Sequence, residues 1–69
     1  MLVTIQYQAG YEPPETPHAR KAWDEVDRLW NVEIRASGVR MEPDALFLSA
    51  AKVRHRIDRK VIQRFRVEP

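Results

Sequence analysis

Residues 17–31, PHARKAWDEVDRLWN, carry the strongest secondary-structure signal in the chain. Their apolar side chains recur every three or four residues and fall on one arc of a helical wheel, with charged side chains opposite. Thr16 supplies a capping hydroxyl, and Pro17 suits the first helical position because its missing N–H costs no hydrogen bond there. The spacing therefore predicts an amphipathic helix from residue 17 to about residue 31. The apolar arc comprises Ala19, Ala22, Trp23, Val26, Leu29 and Trp30.

The segment before this helix has the two-residue period of a β-strand. In residues 2–8, Val3, Ile5 and Tyr7 alternate with polar side chains, which predicts a half-buried strand. Residues 9–15 contain one glycine and two prolines, so we expect a loop between the strand and the helix.

The segment after residue 31 predicts a second helix, with one boundary left open. Glu42-Pro43-Asp44 is typical of a helix start, and an apolar stripe continues over residues 43–58 through Leu46, Ala50, Val53 and Ile57. Residues 32–41 either extend the first helix to a cap at Gly38 or form a short hairpin, 32–36 with 39–41.

Residues 61–67 alternate again and predict a terminal strand antiparallel to residues 2–8, although a helix running to about residue 66 is the alternative. The predicted fold class is thus α+β: one small domain, residues 1–69, with an N-terminal strand, two amphipathic helices and a C-terminal strand that pairs with the first. A mostly helical hairpin is the alternative. A 69-residue chain without cysteine has a thin stability margin, so we expect a homodimer.

Positive charge is concentrated at the C-terminal end. Residues 52–69 hold seven cations and two carboxylates, a net +5, whereas residues 1–51 carry a net −3. On the predicted second helix, four of these cations would share one side and could contact one phosphate backbone. The candidate nucleic-acid or partner-binding residues are Lys52, Arg54, Arg56, Arg59, Lys60, Arg64 and Arg66. A solvated charged face is the simpler alternative.

This charge distribution favours a non-enzymatic nucleic-acid-binding regulator or accessory protein. The alternative function is a small protein-interaction module, an inhibitor or adaptor of the type mobile elements encode, that docks its basic end on an acidic protein surface. Trp23 and Trp30 would be core residues or, if exposed, anchors for a partner. Tyr7 and Tyr11 would pack in the strand and loop or, in a nucleic-acid complex, stack on bases.

Catalytic and metal-binding patterns are absent from the sequence. The two histidines, His18 and His55, lie far apart without cysteine neighbours, so we expect no metal site, no cofactor and no enzymatic activity. His55 between Arg54 and Arg56 leaves a ribonuclease as a minor alternative, with the histidine as general base. No apolar run is long enough to span a membrane and the N-terminus does not resemble a signal peptide, so we expect a cytoplasmic protein without membrane contact.

The predicted order of strand, helix, turn and helix resembles that of the ribbon-helix-helix DNA-binding dimers, over residues 2–8, 17–31 and 43–58. The resemblance implies a strand that pairs across a dimer and enters the major groove. The chain departs from that pattern in its Pro-rich loop and in Thr4, Gln6 and Gln8, where the polar face of the strand carries no cation. With residues 32–41 as a hairpin, the order resembles a winged-helix protein instead. No specific motif supports either family, and none is assigned.

Overall fold

A computed structural model describes residues 1–69 and shows seven strands in two antiparallel sheets. The first sheet has the strand order β2-β3-β1-β7, and the second has the order β4-β5-β6. A short 3-10 helix, Arg59–Val61, links β6 to β7. The strands are β1 Leu2–Tyr7, β2 Ala19–Asp24, β3 Leu29–Arg35, β4 Gly38–Met41, β5 Ala45–Ala50, β6 Val53–Asp58 and β7 Ile62–Glu68.

The core lies between the two sheets. In the first sheet, β1 and β3 are the two central strands. Val3, Ile5 and Tyr7 alternate inward from β1. Leu46 and Leu48 alternate inward from β5 at the centre of the second sheet. These side chains belong to one apolar cluster, so each sheet buries one face against the other and exposes its outer face.

The predicted α+β fold class is wrong, because the structure contains no α-helix. Residues 17–31 form a turn and the β2–β3 hairpin, in which Trp23 pairs with Trp30 across the strands. The alternative of a helical hairpin is wrong for the same reason, and the orders typical of ribbon-helix-helix and winged-helix proteins are not present.

The loop of this hairpin explains the helical signal. The Arg28 N–H donates to the Asp24 carbonyl over 2.8 Å, which is a single helical turn that does not continue. The Asp24 carboxylate accepts from the N–H groups of Val26 and Asp27, at 2.9 and 3.0 Å. Arg28 then takes a positive φ of 57°, which redirects the chain into β3. Residues 24–28 therefore form a single helix-like turn. Within it, Val26 is 90% exposed and is not buried on a helix face.

Thr16-Pro17 belongs to a β-turn and not to a helix start. The Ala19 N–H donates to the Thr16 carbonyl over 3.2 Å, and His18 has a φ of 65°. Proline at the second turn position followed by a positive φ is the geometry of a type II turn. The same residues that favour a helix cap therefore favour this turn.

The second predicted helix, residues 43–58, is the β5–β6 hairpin. Ala51 and Lys52 form its two-residue turn, with φ values of 50° and 65°. Both values are positive, as a type I′ turn requires. The apolar stripe predicted for a helix lies on the inner face of these two strands, because Leu46 pairs with Ile57 and Ala50 pairs with Val53.

Residues 32–41 contain two strands that do not pair with each other. Residues 32–35 belong to β3 in the first sheet, whereas β4 pairs with β5 in the second. The chain crosses between the sheets at Ala36-Ser37, so both the helix extension and the hairpin are wrong. Ala36 exchanges hydrogen bonds with Met1, and the Ser37 N–H donates to the Ser49 carbonyl over 2.8 Å.

The N-terminal strand and the strand at the C-terminal end are present and pair antiparallel, as the alternation predicts. A β-bulge interrupts the pairing, because Gln6 lies opposite Arg64 while Tyr7 lies opposite Ile62. The bulge leaves Gln63 as an extra residue and turns Ile62 into the core. Ile62 therefore does not share a face with Arg64 and Arg66, as strict alternation would require.

None of the structure's helical segments has the length and apolar composition that crossing a membrane would require.

Candidate nucleic-acid interface

The outer face of the β4-β5-β6 sheet places an aromatic ring between two arginines. Phe47 on the central strand pairs with Arg40 on one side and with Arg56 on the other. The Arg40 guanidinium lies 4.9 Å from the centroid of the Phe47 ring, within cation–π distance. Phe47 is only partly buried, so an apolar surface remains accessible between two cations.

A second row beside it contains Gly38, Ser49 and Arg54. A recess of about 210 Å³ opens here, lined by Phe47, Arg40 and the residues of this row. A Cβ placed on Gly38 would lie 3.9 Å from the Ser49 side chain, an ordinary contact distance, so a larger side chain at residue 38 would extend into the recess. We call this face, formed by Gly38, Arg40, Phe47, Ser49, Arg54 and Arg56, the β5 platform.

The cations of the β5 platform are mostly free to meet an anion. Arg56 lies 3.6 Å from the Asp44 carboxylate, but both side chains are more than half exposed, so water screens the pair. Arg54 and Arg40 make no ion pair. Lys52, in the β5–β6 turn, is exposed at the end of the same sheet.

The structure separates the candidate residues that the sequence groups together. Lys52, Arg56, Arg59 and Lys60 do not share one helical side, because Lys52 lies in the turn before β6 and Arg59 and Lys60 lie after it. The Asp58 carboxylate accepts from the Lys60 N–H over 3.0 Å and shapes the 3-10 helix. Because a strand rises about 3.3 Å per residue, the length of β6 separates Lys52 from Arg59 and Lys60.

Arg64 and Arg66 lie on the opposite side of the molecule. They pair with Gln6 and Thr4 on the outer face of the first sheet. That face also carries Arg20, but carboxylates interrupt it, and Arg66 itself is 3.0 Å from Glu68. The concave surface there is mixed in charge, with Asp24, Asp27 and Glu33 among its lining residues. Arg64 and Arg66 thus do not extend the β5 platform.

His55 does not join the arginines on either side of it. Along β6 the side chains alternate, so Arg54 and Arg56 point outward while His55 faces the space between the sheets, opposite Leu48. The three side chains do not converge on one phosphate, which is the arrangement that the ribonuclease alternative needs. His18 lies in the Thr16–Ala19 turn, which precedes β2 of the first sheet.

Sequence reasoning missed Arg40 and Phe47, the residues at the centre of the β5 platform. Arg40 lies within residues 1–51, which carry a net negative charge, and Phe47 lies outside the predicted apolar stripe. A signal was available in the alternation of residues 46–50, where Leu46, Leu48 and Ala50 take one face and leave Phe47 and Ser49 on the other. No protein-family model, curated protein or solved structure matches the chain.

Proposed function

We propose that the protein is a non-enzymatic nucleic-acid-binding regulator or accessory protein that binds single strands on the β5 platform. The supporting observation is the row Arg40–Phe47–Arg56, in which a partly exposed ring lies between two cations. Bases stack on aromatic side chains or guanidinium planes, and flanking cations contact phosphates. This combination suits unpaired bases, whereas the edges of stacked duplex bases offer Phe47 no flat surface.

The dimensions of the platform support this proposal. Neighbouring strands of a sheet lie about 4.8 Å apart, so the backbones of Arg40 and Arg56, on the two sides of β5, are roughly 10 Å apart. The recess at Gly38 lies on one side of Phe47 and provides space for part of a base, with the Ser49 hydroxyl among its lining groups. Arg54, in the same row as Gly38, adds a third cation at its border.

The second candidate function is a protein-interaction module that docks this face on an acidic protein surface. Arg and aromatic residues are also enriched among the residues that dominate protein–protein binding energy, and the β5 platform contains both. An aromatic-anchored protein interface depends less on salt than phosphate binding, which releases counterions. The salt dependence of binding therefore separates the two functions.

Fluorescence anisotropy with labelled single-stranded DNA, single-stranded RNA and duplex DNA tests the proposal. We expect tighter binding of single strands, and a loss with Phe47→Ala of about 1–3 kcal/mol if one base stacks there. The slope of log K against log salt is negative, and Arg40→Gln/Arg54→Gln should reduce its magnitude by about 0.7 for each phosphate contact removed. Absence of binding at low salt, or equal binding by Phe47→Ala, would reject the proposal.

Two further variants serve as controls for charge and for shape. Arg64→Gln/Arg66→Gln removes the same charge from the other sheet and should leave the salt slope nearly unchanged. Gly38→Val keeps every cation but fills the recess, and φ at residue 38 does not require glycine. We expect this variant to fold normally and to bind single strands several-fold more weakly.

The proposal includes a cytoplasmic location and a homodimer, both of which stay predictions. The location is supported by the absence of cysteine, which is compatible with a reducing compartment. The homodimer is supported by the size of the chain, which buries little surface alone. Light scattering after gel filtration at two protein concentrations tests it, and a mass of 8.1 kDa at both would contradict it.

A further inference from the structure

Strand β6 is an unpaired edge of the second sheet, and half of its backbone groups have no partner. β6 pairs only with β5. Ala50 and Val53 flank the two-residue turn, so they exchange hydrogen bonds, and alternation then turns Val53, His55 and Ile57 towards β5. The N–H and C=O groups of Arg54, Arg56 and Asp58 therefore face outward, and no backbone hydrogen bond outside the ladder uses them.

These outward groups border a cleft of about 480 Å³ between the two sheets. Arg54, Arg56 and Asp58, whose backbone groups face outward, are among the residues that line this cleft. The floor is apolar and includes Ile5, Val32 and Leu48. Tyr11 stacks on Tyr7, with ring centroids 5.4 Å apart, and forms part of the opposite wall. An exposed strand edge beside an apolar cleft is what β-strand addition uses.

We propose that the protein binds an extended peptide of alternating apolar and acidic residues, which adds to β6 as a fourth strand of the second sheet. Peptide residues opposite His55 and Ile57 would enter the cleft, and those opposite Arg54 and Arg56 would lie on the outer face. Charge complementarity makes the outer residues acidic, and Asp58 favours a cation at the peptide position opposite it.

The same charges argue against a second copy of β6 as the occupant. Antiparallel pairing of β6 with itself would place arginines of one copy directly across from, or diagonal to, arginines of the other. Like charges opposite each other destabilise a strand pair. Lys and Arg on an exposed edge are a common protection against self-association, and they leave the edge available to an acidic strand.

Binding of a synthetic peptide tests this proposal directly. The labelled hexapeptide Lys-Val-Glu-Val-Glu-Val matches residues Asp58 to Val53 in antiparallel order. We expect it to bind at least roughly tenfold more tightly than Glu-Val-Lys-Val-Lys-Val, because the second peptide reverses every cross-strand charge pair. Arg54→Glu/Arg56→Glu should reverse this preference. Equal binding of both peptides by the wild-type protein would overturn the proposal.

Methylation of peptide nitrogens tests the strand geometry. The two Glu residues would donate their N–H groups to β6, whereas the N–H groups of the first two Val residues would point away from it. N-methylation of both Glu residues should weaken binding roughly tenfold or more, and N-methylation of those two Val residues should change it little. Amide exchange at Arg54, Arg56 and Asp58 should slow in the complex. Equal effects of the two methylations, or protection elsewhere only, would contradict strand addition.

Peptide binding at the β6 edge and nucleic-acid binding on the β5 platform share Arg54 and Arg56, and Phe47 distinguishes them. Phe47 lies on β5, one strand away from the edge. Phe47→Ala should therefore weaken binding of single-stranded nucleic acid and leave peptide binding within about twofold of the wild type. Loss of peptide binding in Phe47→Ala would mean that the peptide uses the β5 platform and not the β6 edge.

Discussion

Ala51 and Lys52 close the β5–β6 hairpin with backbone angles that neither residue favours. Their φ values are 50° and 65°, in the left-handed region where a Cβ costs roughly 1–2 kcal/mol per residue. Asn-Gly is the preferred pair for such a turn because both residues tolerate positive φ. The turn thus reduces the stability of the hairpin while presenting Lys52 at the end of the second sheet.

Replacement of both turn residues, Ala51→Asn with Lys52→Gly, should stabilise the protein. We expect the free energy of unfolding to rise by about 1 kcal/mol, after the entropy that glycine adds to the unfolded chain. Urea unfolding followed by far-ultraviolet circular dichroism measures the change. Ala51→Val/Lys52→Val is the matched control and should destabilise, since β-branched residues tolerate positive φ least. Stabilisation by the valine pair would contradict the turn geometry.

Tyr7 is a buried phenol whose ionisation is linked to folding. Burial, and secondarily the neighbouring Tyr11 phenol, raise the pKa of Tyr7 from 10.0 to about 12. Because the raised pKa belongs to the folded state, the unfolded chain releases this proton first as the pH rises. The contribution of Tyr7 to stability is complete below pH 10 and is lost as the pH rises to about 12.

Alkaline titration of the wild-type protein and of Tyr7→Phe checks this linkage. The wild type should lose more stability than Tyr7→Phe between pH 10 and pH 12, and its absorbance at about 295 nm should show one tyrosine that ionises late. Below pH 10 the stabilities of the two proteins should depend on pH in parallel. A wild type with two tyrosines that both ionise near pH 10 would contradict the burial of Tyr7.

Residues 17–31 have a spacing that fits a helix as well as the β2–β3 hairpin that they form. Trp23 and Trp30 are seven residues apart, which places them on one face of a helix but also directly opposite each other across a four-residue hairpin loop. The decisive signal lay in β3, where Trp30, Val32 and Ile34 alternate with polar residues. An extension of the first helix through Val32 to Gly38 does not fit this alternation.

The two terminal strands are the elements that the sequence predicts correctly, and their antiparallel pairing is present. Residues 2–8 alternate without a competing helical pattern. Residues 61–67 also fit a helix running to about residue 66, and that alternative is wrong because residues 62–68 form β7. In residues 43–58, the apolar side chains fit both periods. Leu46, Ala50, Val53 and Ile57 form one stripe of a helical wheel and also one face of the hairpin. Turn chemistry did not resolve the ambiguity, since Ala51-Lys52 is an uncommon pair for a type I′ turn.

The two tryptophans should differ in their contribution to the hairpin. Trp30 is partly buried and has the Lys21 ammonium 4.6 Å from its ring, whereas Trp23 is 41% exposed. We expect Trp30→Ala to cost about 2–3 kcal/mol and Trp23→Ala about 1 kcal/mol. A double-mutant cycle should give a coupling of about 0.5–1.5 kcal/mol, because the rings meet edge to face at 5.2 Å. Additive effects would contradict the cross-strand pair.

At the scale of the whole molecule, folding divides the basic C-terminal segment between two opposite surfaces. Lys52, Arg54 and Arg56 belong to the second sheet, while Arg64 and Arg66 lie on the outer face of the first. A charge count along the sequence could not show this division, nor could it bring Arg40 beside Phe47. The candidate site could be predicted only in part, because its composition depends on strand register.

Chemical-shift mapping by NMR, with a labelled protein and a short single-stranded oligonucleotide, locates the nucleic-acid interface residue by residue. We expect the largest shifts on the β5 platform, including the Phe47 ring and the guanidinium groups of Arg40 and Arg54, while Arg20, Arg64 and Arg66 shift little. Addition of salt should reverse the shifts together. Shifts concentrated on Arg64 and Arg66, or no shifts at low salt, would contradict the β5 platform as a nucleic-acid interface.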